Sequence, residues 1–169
     1  FNDDFSKKSY RSIFKWGDPK QIKAPRESLY KMMKETFNLD DDCFKTYTEK
    51  TGLEEVDYDI PSKLSNLQIE KLKEICGNEF VRIDNYSRLS VAYGKTMYDI
   101  LRLRNKIVKN VPDAVLYPDS KEQIAKIVAF CVSENIPIYV HGGGSSVTRG
   151  VEPIKGGISL DMRLRFNKV

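Results

Sequence analysis

The 169-residue sequence contains little histidine and little cysteine, and this scarcity excludes most kinds of metal site. Its single histidine is His141, and its three cysteines, Cys43, Cys76 and Cys131, are far apart. There is no Cys-x-x-Cys pair, and His141 does not stand at metal-ligand spacing from a cysteine. We therefore expect free thiols in a reducing compartment, which predicts a cytoplasmic protein without a metal.

Long hydrophobic runs and a large excess of one charge are also missing. No apolar stretch is long enough to cross a bilayer, and the first residues carry no signal-peptide pattern. The net charge is +4, and basic residues are interleaved with acidic ones instead of forming a basic stripe with aromatic residues. With 40% hydrophobic and 31% charged residues, the composition predicts a soluble globular protein that does not bind nucleic acid.

The two ends of the sequence resemble cut ends. The chain opens on Phe1 instead of methionine and stops at Val169, directly after a strand-like segment. A chain of this length can hold one ordinary domain, or one small domain and part of another. We therefore expect the N-terminal portion of a longer protein.

Two helices are predicted before residue 80. The first follows Pro25, which suits an initial helical turn, and its apolar residues share one face that we expect to pack against the core. These apolar residues are Leu29, Met32, Met33 and Phe37. The second helix begins with a capping box formed by Ser65 and Gln68 and ends at Gly77.

A third helix is predicted to begin near Thr96 and to continue to Asn110. Its apolar side consists of Ile100, Leu103, Ile107 and Val108. Its basic residues are Arg102, Arg104, Lys106 and Lys109. A solvated face is the expected role of these basic residues, with contact to a cofactor or substrate as the alternative.

The pattern from residue 111 onward predicts a strand, a helix and two further strands. "DAVLYP" is a short buried strand, and Ser120 and Gln123 cap the helix "KEQIAKIVAFCVSEN". The apolar stripe of that helix consists of Ile124, Ile127, Val128, Cys131 and Val132. "IPIYV" and "GGISLDM" are the later strands, and the strand–helix–strand order predicts a βαβ unit whose two strands are parallel. The expected fold class is α+β, with a helical extension over residues 1–106 and a second domain over residues 107–169.

The segment "YVHGGGSSVTRG", residues 139–150, predicts an anion-binding loop. Backbone N–H groups at the end of a strand can converge on a phosphate when no Cβ atom obstructs the approach. Gly142, Gly143 and Gly144 would permit the approach, and the two following serines could add hydroxyl donors. Gly150 would permit a further turn. The alternative is a flexible connector.

Three other glycine-rich motifs fit the sequence less well. A dinucleotide-binding Gly-x-Gly-x-x-Gly would require glycine where Val147 stands. A P-loop ending at Gly94, Lys95 and Thr96 would require glycine where Leu89 stands. "HGGG" also occurs in the oxyanion hole of lipases, but the Gly-x-Ser-x-Gly nucleophile motif and a second histidine are not in this sequence. The lipase interpretation stays a minor alternative.

Residues 111–169 resemble the front of the PCMH-type FAD-binding domain of the vanillyl-alcohol-oxidase superfamily. The "PDAV" strand, the capped helix, "IPIYV", the glycine loop and "ISLDM" follow one another in that family's order. Upstream, "FKWGDP", "RLSVAYGK" and "DILRLR" are similar to the branch of alkyldihydroxyacetonephosphate synthases and bacterial FAD-linked oxidases.

This resemblance implies that the glycine loop binds the FAD pyrophosphate through its backbone. The residues implied are Val140, His141, Gly142, Gly143, Gly144, Ser145, Ser146 and Gly150. Relatives that attach FAD covalently have a histidine in this loop at the place that Ser145 fills, so the resemblance implies non-covalent FAD. His141 would either point toward the cofactor or serve as a spacer.

For the complete protein the resemblance implies an FAD-dependent enzyme, either a synthase-like transferase of ether-lipid synthesis or an FAD-linked oxidase. Its substrate would be a small molecule or a lipid precursor, and a homodimer is the expected assembly. Alternatives are an FAD-dependent D-lactate or glycolate dehydrogenase and a non-catalytic module that binds a phosphate-bearing ligand. The family's catalytic residues lie downstream of Val169, so we assign none to this chain and expect it to be inactive alone.

Overall fold

The computed structural model describes residues 8–14, 26–45, 52 and 54–166. Of the segment "FKWGDP", only the first residue lies within these ranges. The helices are α1 (Tyr10–Phe14), α2 (Glu27–Phe37), α3 (Asp41–Lys45), α4 (Asn66–Cys76), α5 (Asn85–Ser90), α6 (Met97–Arg104) and α7 (Lys121–Ser133). The strands are β1 (Val81–Arg82), β2 (Ala114–Leu116), β3 (Ile138–His141) and β4 (Ile158–Asp161), and a short 3₁₀ turn (Asn78–Phe80) precedes β1.

Within the described residues the strands form one mixed sheet in the order β1-β2-β4-β3. β1 runs antiparallel to β2, whereas β2 and β3 each run parallel to β4. The predicted βαβ unit of β2, α7 and β3 is therefore present, and β4 lies between its two strands. The α+β class is confirmed, because a largely helical N-terminal region, which contributes only β1 to the sheet, precedes the parallel strands.

The register of the parallel strands places their carboxyl ends at one edge of the sheet. Leu116 of β2 pairs with Leu160 of β4, and His141 of β3 pairs with Asp161 of β4. The glycine loop leaves β3 at this edge, which is where open α/β sheets bind ligands.

Two hydrophobic clusters hold these elements together. The first joins the sheet to α4 and α7, and its buried members are Leu72, Cys76, Val81, Ala114, Leu116, Ile127, Cys131, Ile158 and Leu160. The second joins α1, α5 and α6, and its buried members are Tyr10, Ile13, Val56, Leu89, Ala92, Tyr93, Leu103 and Val111. The sheet cluster thus takes residues from both sides of the predicted boundary between residues 106 and 107, and that boundary stays a prediction.

The helix caps of α4 and α7 are confirmed. The Ser65 hydroxyl accepts a hydrogen bond from the Gln68 N–H at 3.2 Å, and the Gln68 side chain accepts one from the Ser65 N–H at 2.9 Å. The helix ends before Gly77, which has a φ of +97°. In α7, the Ser120 hydroxyl accepts from the Gln123 N–H at 3.3 Å. Each cap satisfies backbone donors that have no partner inside the helix.

The predicted core-facing stripe of α2 is wrong. No residue of α2 is buried, and Leu29, Met32 and Phe37 are 43%, 52% and 64% exposed. The reason is that α2 contributes to neither hydrophobic cluster, so its apolar face has no cover among the described residues. The stripe of α7 is narrower than predicted, because Ile127 and Cys131 are buried whereas Val128 and Val132 are exposed.

The third predicted helix ends at Arg104 instead of Asn110. Lys106 has a φ of +57°, which is the left-handed conformation that terminates many helices. The backbone N–H of Ile107 then donates to the Arg102 carbonyl at 2.8 Å. Ile107 is 43% exposed and lies beyond the helix, so it is not part of the predicted apolar side.

No helix in the described ranges is long and apolar enough to cross a membrane. The same ranges contain no group of three or more His, Cys, Asp or Glu residues that could hold a metal ion. All three cysteines are free, with Cys43 exposed and Cys76 and Cys131 buried. Burial raises the pKa of the Cys131 thiol to about 11, so this thiol stays protonated and unreactive at neutral pH.

Candidate functional site

The glycine loop connects β3 to β4. Its glycine-rich first part is attached to the rest of the protein on both sides, at His141 and at Ser146. At its start, the carbonyl of His141 accepts a hydrogen bond from the Met162 N–H at 3.0 Å. Further on, the carbonyl of Ser146 accepts one from the Lys95 N–H at 2.8 Å. Residues 142–145 lie between these two attachments.

The structural reason for glycine differs among the three consecutive glycine positions. Gly144 has a φ of +69°, and a Cβ atom there would lie 3.0 Å from the His141 ring. Gly142 and Gly143 are exposed and have no positive φ, and a Cβ atom on either would meet nothing within 4 Å. Neither backbone conformation nor internal packing therefore explains why side chains are absent at Gly142 and Gly143.

The backbone N–H groups of residues 142–146 donate to no acceptor among the described residues. Gly144 in this row is buried, and because buried N–H groups are almost always paired, a row of donors without an acceptor at a strand end is typical of an anion-binding loop. The hydroxyls of Ser145 and Ser146 likewise have no partner in the described part of the chain, and both serines are at least partly exposed. Residues 142–146 therefore offer unpaired donors and carry no negative charge.

His141 lies beneath the loop. Its side chain is 2% exposed, and its Nδ1 atom has no hydrogen-bond partner among the described residues. Burial, together with the nearby cations Arg163 and Lys95, lowers the pKa of His141 to about 4, and the charge of Asp161 opposes this shift. The ring is therefore neutral at neutral pH and supports Gly144 from below.

We expect the free energy of unfolding to decrease as the pH is lowered from about 6.5 to about 4, because of His141. The unfolded chain protonates this histidine near pH 6.5, whereas the folded chain does so only near pH 4, so protons favour unfolding in this window. The stabilisation is fully present above pH 6.5, and about 3 kcal/mol of it is lost by pH 4. Urea denaturation at pH 7 and pH 4.5 measures it, with His141→Gln as the comparison. An equal loss of stability in both proteins would contradict the assignment.

The segment that precedes α6 packs closely against the loop. A Cβ atom on Gly94 would lie 2.1 Å from the Ser146 carbonyl oxygen, so glycine permits the Lys95 hydrogen bond. The ammonium group of Lys95 donates to the Ile13 carbonyl at 2.5 Å. Burial, together with the charge of Arg163, lowers the pKa of Lys95 to about 8. Gly94 and Lys95 matched part of a P-loop, but their observed role is to hold the glycine loop.

Arg102 is buried, so the prediction of a solvated basic face is wrong at this position. The residue is 3% exposed, and its guanidinium donates to Glu152 at 3.0 Å. Arg104, Lys106 and Lys109 are at least partly exposed. The only sequence signal for this burial was the i, i+3 spacing of Asp99 and Arg102, which places the two opposite charges on one helix face.

A cavity of about 460 Å³ lies beyond the carboxyl ends of β2 and β4. Its lining consists of Ser12, Ile13, Tyr86, Ser90, Tyr117, Asp161, Arg163 and Leu164. Arg163 and Asp161 form a paired contact in it, with the Arg163 Nε donating to Asp161 at 2.9 Å. The sequence did not predict this cavity, because its walls come from segments that are far apart in the chain.

Comparison with known families identifies the last third of the chain. The model of the FAD binding domain family matches residues 112–169. This part of the chain belongs to the FAD-binding domain family. Its cofactor is therefore FAD, as the resemblance predicted.

Several relatives of this FAD-binding chain are alkyldihydroxyacetonephosphate synthases. The enzyme of Trypanosoma brucei brucei is 33% identical over 100 residues, which are 56% of this chain and 16% of the relative. The enzyme of Dictyostelium discoideum is 28% identical over 158 residues, which are 89% of this chain and 26% of the relative. The mitochondrial D-lactate dehydrogenase (cytochrome) of Arabidopsis thaliana is 38% identical over 55 residues, 32% of this chain and 10% of the relative.

A solved structure of alkyldihydroxyacetonephosphate synthase matches the fold. It aligns with 94% of this chain and 33% of its own, with a TM-score of 0.73 and 28% identity. The arrangement of helices and sheet is therefore that of the synthase. The chain spans 26% or less of the length of the curated relatives described above.

Proposed function

We propose that the glycine loop holds the pyrophosphate of FAD through its backbone. The supporting observation is the row of N–H groups from residue 142 to residue 146, which have no acceptor in the described chain. A pyrophosphate carries negative charge on oxygens that accept hydrogen bonds from such a row. The bare surface at Gly142 and Gly143 gives the phosphate oxygens direct access to the backbone.

The remaining residues of the proposed site have separate roles. Ser145 and Ser146 add hydroxyl donors beside the N–H row. Val140 is 61% exposed and presents an apolar surface at the entrance of the loop. His141 acts as the buried spacer that sets the height of Gly144. Gly150 is exposed, and the nearest atom to a Cβ there would be 4.0 Å away, so this position also permits close approach.

We propose that the FAD is bound non-covalently. A serine occupies position 145, and a hydroxyl is not the imidazole through which related loops are attached to the flavin. His141 is the only histidine in the sequence, and its buried ring lies below the loop. Retention of the cofactor then depends on the hydrogen bonds and packing of the site.

For the complete protein we propose a synthase-like FAD enzyme that acts on a lipid precursor. The support is the extent of the likeness, which covers 89% of this chain in the Dictyostelium synthase. FAD would supply the electron-accepting centre for the chemistry, and this chain's loop would orient it. The second candidate is oxidation of a 2-hydroxyacid, which the 38% identity to the D-lactate dehydrogenase favours over 55 residues.

The first test is the cofactor content of the complete protein. We expect it to purify with bound flavin that denaturation releases as free FAD, with a flavin absorption spectrum before and after. Covalent attachment would instead leave the flavin on the denatured polypeptide. A preparation that contains no flavin and takes up none on addition of FAD would overturn the proposal in favour of another phosphate-bearing ligand.

The second test separates the two reactions. The flavin-loaded protein is incubated with acylated dihydroxyacetone phosphate and a long-chain alcohol, and separately with D-lactate or glycolate and an electron acceptor. Formation of an ether lipid without reduction of the acceptor supports the synthase-like reaction. Reduction of the acceptor by a hydroxyacid, with no ether product, would replace it with the oxidoreductase. Inactivity in both assays despite bound FAD would contradict both.

A further inference from the structure

A buried network of charges connects α6 to the second half of the glycine loop. Arg102 of α6 donates to Glu152 at 3.0 Å, and the Asn110 side chain donates to the same carboxylate oxygen at 2.7 Å. Arg149 in the loop donates to the other oxygen through its Nε at 3.0 Å. Asp99 lies 3.6 Å from the Arg102 guanidinium. We call Asp99, Arg102, Arg149 and Glu152 the loop network.

Glu152 is charged although it is buried. Its exposure is 4%, and burial by itself opposes ionisation. Hydrogen bonds from Arg102, Asn110 and Arg149 outweigh burial and lower the pKa of Glu152 below its usual value. Moving one partner away would leave a buried charge without compensation, which is energetically costly. The side chains of the network are therefore held in one arrangement.

The network connects the glycine loop to the segment before α6, which also holds the loop at Ser146. Tyr93 and Lys95 precede α6, and the Tyr93 hydroxyl accepts hydrogen bonds from Arg102 at 3.2 Å and from the Lys109 N–H at 2.9 Å. Lys95 holds the Ser146 carbonyl. The loop is thus fixed at Ser146 and at Glu152 by neighbouring parts of one structural unit.

Arg149 shows that the network imposes a backbone shape. Its φ is +64°, a left-handed conformation that a non-glycine residue rarely adopts without compensation. Its guanidinium is held by Glu152, whose backbone N–H also donates to the Arg149 carbonyl at 3.1 Å. The turn over residues 149–152 is therefore closed by both a side-chain and a backbone bond.

We propose that Arg102 and Glu152 are positioning residues that hold the glycine loop in its anion-binding shape before the ligand arrives. Ordering a loop before binding reduces the conformational entropy that is lost on binding, and thus raises affinity without adding a contact. The identity of the ligand as FAD rests on the function proposed above. The ordering of the loop in the ligand-free protein does not, and it can be measured separately.

The test uses Glu152→Gln in the complete protein, with Ile127→Val as the matched control. Ile127 is buried in the cluster that joins the sheet to α4 and α7, which includes no residue of the network, so we expect its variant to lower stability only. Hydrogen–deuterium exchange of the Lys95 amide, which is protected by Ser146, reports loop attachment in the flavin-free protein. We expect exchange at Lys95 to be at least tenfold faster in Glu152→Gln and unchanged in Ile127→Val. The dissociation constant for FAD, measured by flavin fluorescence, should rise by a similar factor in the first variant only.

Two results would overturn the inference. One is unchanged Lys95 exchange in a folded Glu152→Gln protein, and the other is an equal effect in Ile127→Val, which would indicate a general loss of stability. If Glu152→Gln does not fold, Arg149→Met replaces it, because Arg149 is exposed and its removal leaves Arg102 paired with Glu152. Faster exchange of the Lys95 amide is again the expected result. Unchanged exchange would contradict the inference. A wild-type protein that binds no FAD would refute the proposed function, while the exchange measurement still decides the positioning role.

Discussion

Replacing Gly142 with valine is expected to weaken FAD binding by ~100-fold or more, which corresponds to about 2.7 kcal/mol, and to leave the fold intact. The Cβ of residue 142 would meet no atom of the described residues within 4 Å, and the φ of residue 142 is not in the left-handed region, so we expect the folded chain to accommodate the larger side chain. The same side chain would occupy the space through which a pyrophosphate reaches the backbone N–H groups. Titration with FAD and thermal unfolding of the flavin-free protein measure the two effects.

The matched control for Gly142→Val is Ile154→Thr. Ile154 lies in the same connection between β3 and β4, is 73% exposed, and has no place in the proposed site. We expect this variant to bind FAD as the wild type does. Normal FAD affinity in a folded Gly142→Val protein would show that the cofactor does not contact this part of the loop, whatever else the loop binds.

The sequence predicted local structure well where the deciding contacts lie within a few residues. The capping pairs of α4 and α7 each join residues three positions apart, so hydroxyl and amide side chains at that spacing are sufficient to identify them. The anion-binding role of the glycine loop stays a prediction, although packing leaves Gly142 and Gly143 unexplained whereas the His141 ring explains Gly144. The insertion of β4 between β2 and β3 was not predicted, since strand order depends on contacts between distant segments.

Burial of charge was the main feature that the sequence did not reveal. Arg102 is buried because Glu152, fifty positions later in the chain, supplies a partner, and only its i, i+3 spacing from Asp99 distinguishes it locally from Arg104 on the same helix. The prediction that the apolar face of α2 packs against the core was wrong for the opposite reason, because its partner is missing among the described residues. A hydrophobic stripe shows that a helix can be covered but does not show that a covering element is present.

Replacing Gly157 with alanine is expected to destabilise the protein by roughly 3 kcal/mol or more, in contrast to the same substitution at Gly142. Gly157 has a φ of +81°, and a Cβ atom there would lie 2.2 Å from the Pro137 carbonyl oxygen. Its N–H donates to the Asp113 carboxylate at 2.5 Å, and its carbonyl accepts from the Asp113 N–H at 2.6 Å. The alanine would therefore strain the backbone where β4 enters the sheet between two strands.

The comparison of Gly157→Ala with Gly142→Ala separates the two uses of glycine in this connection. Urea unfolding of the flavin-free proteins should show a lower midpoint for Gly157→Ala and an unchanged midpoint for Gly142→Ala, because only the first position is enclosed by backbone atoms. FAD affinity, measured under conditions where each protein is folded, should fall for Gly142→Ala. Equal midpoints for the two variants would mean that the entry to β4 relaxes around a methyl group, and the central position of β4 would then depend on the paired strands alone.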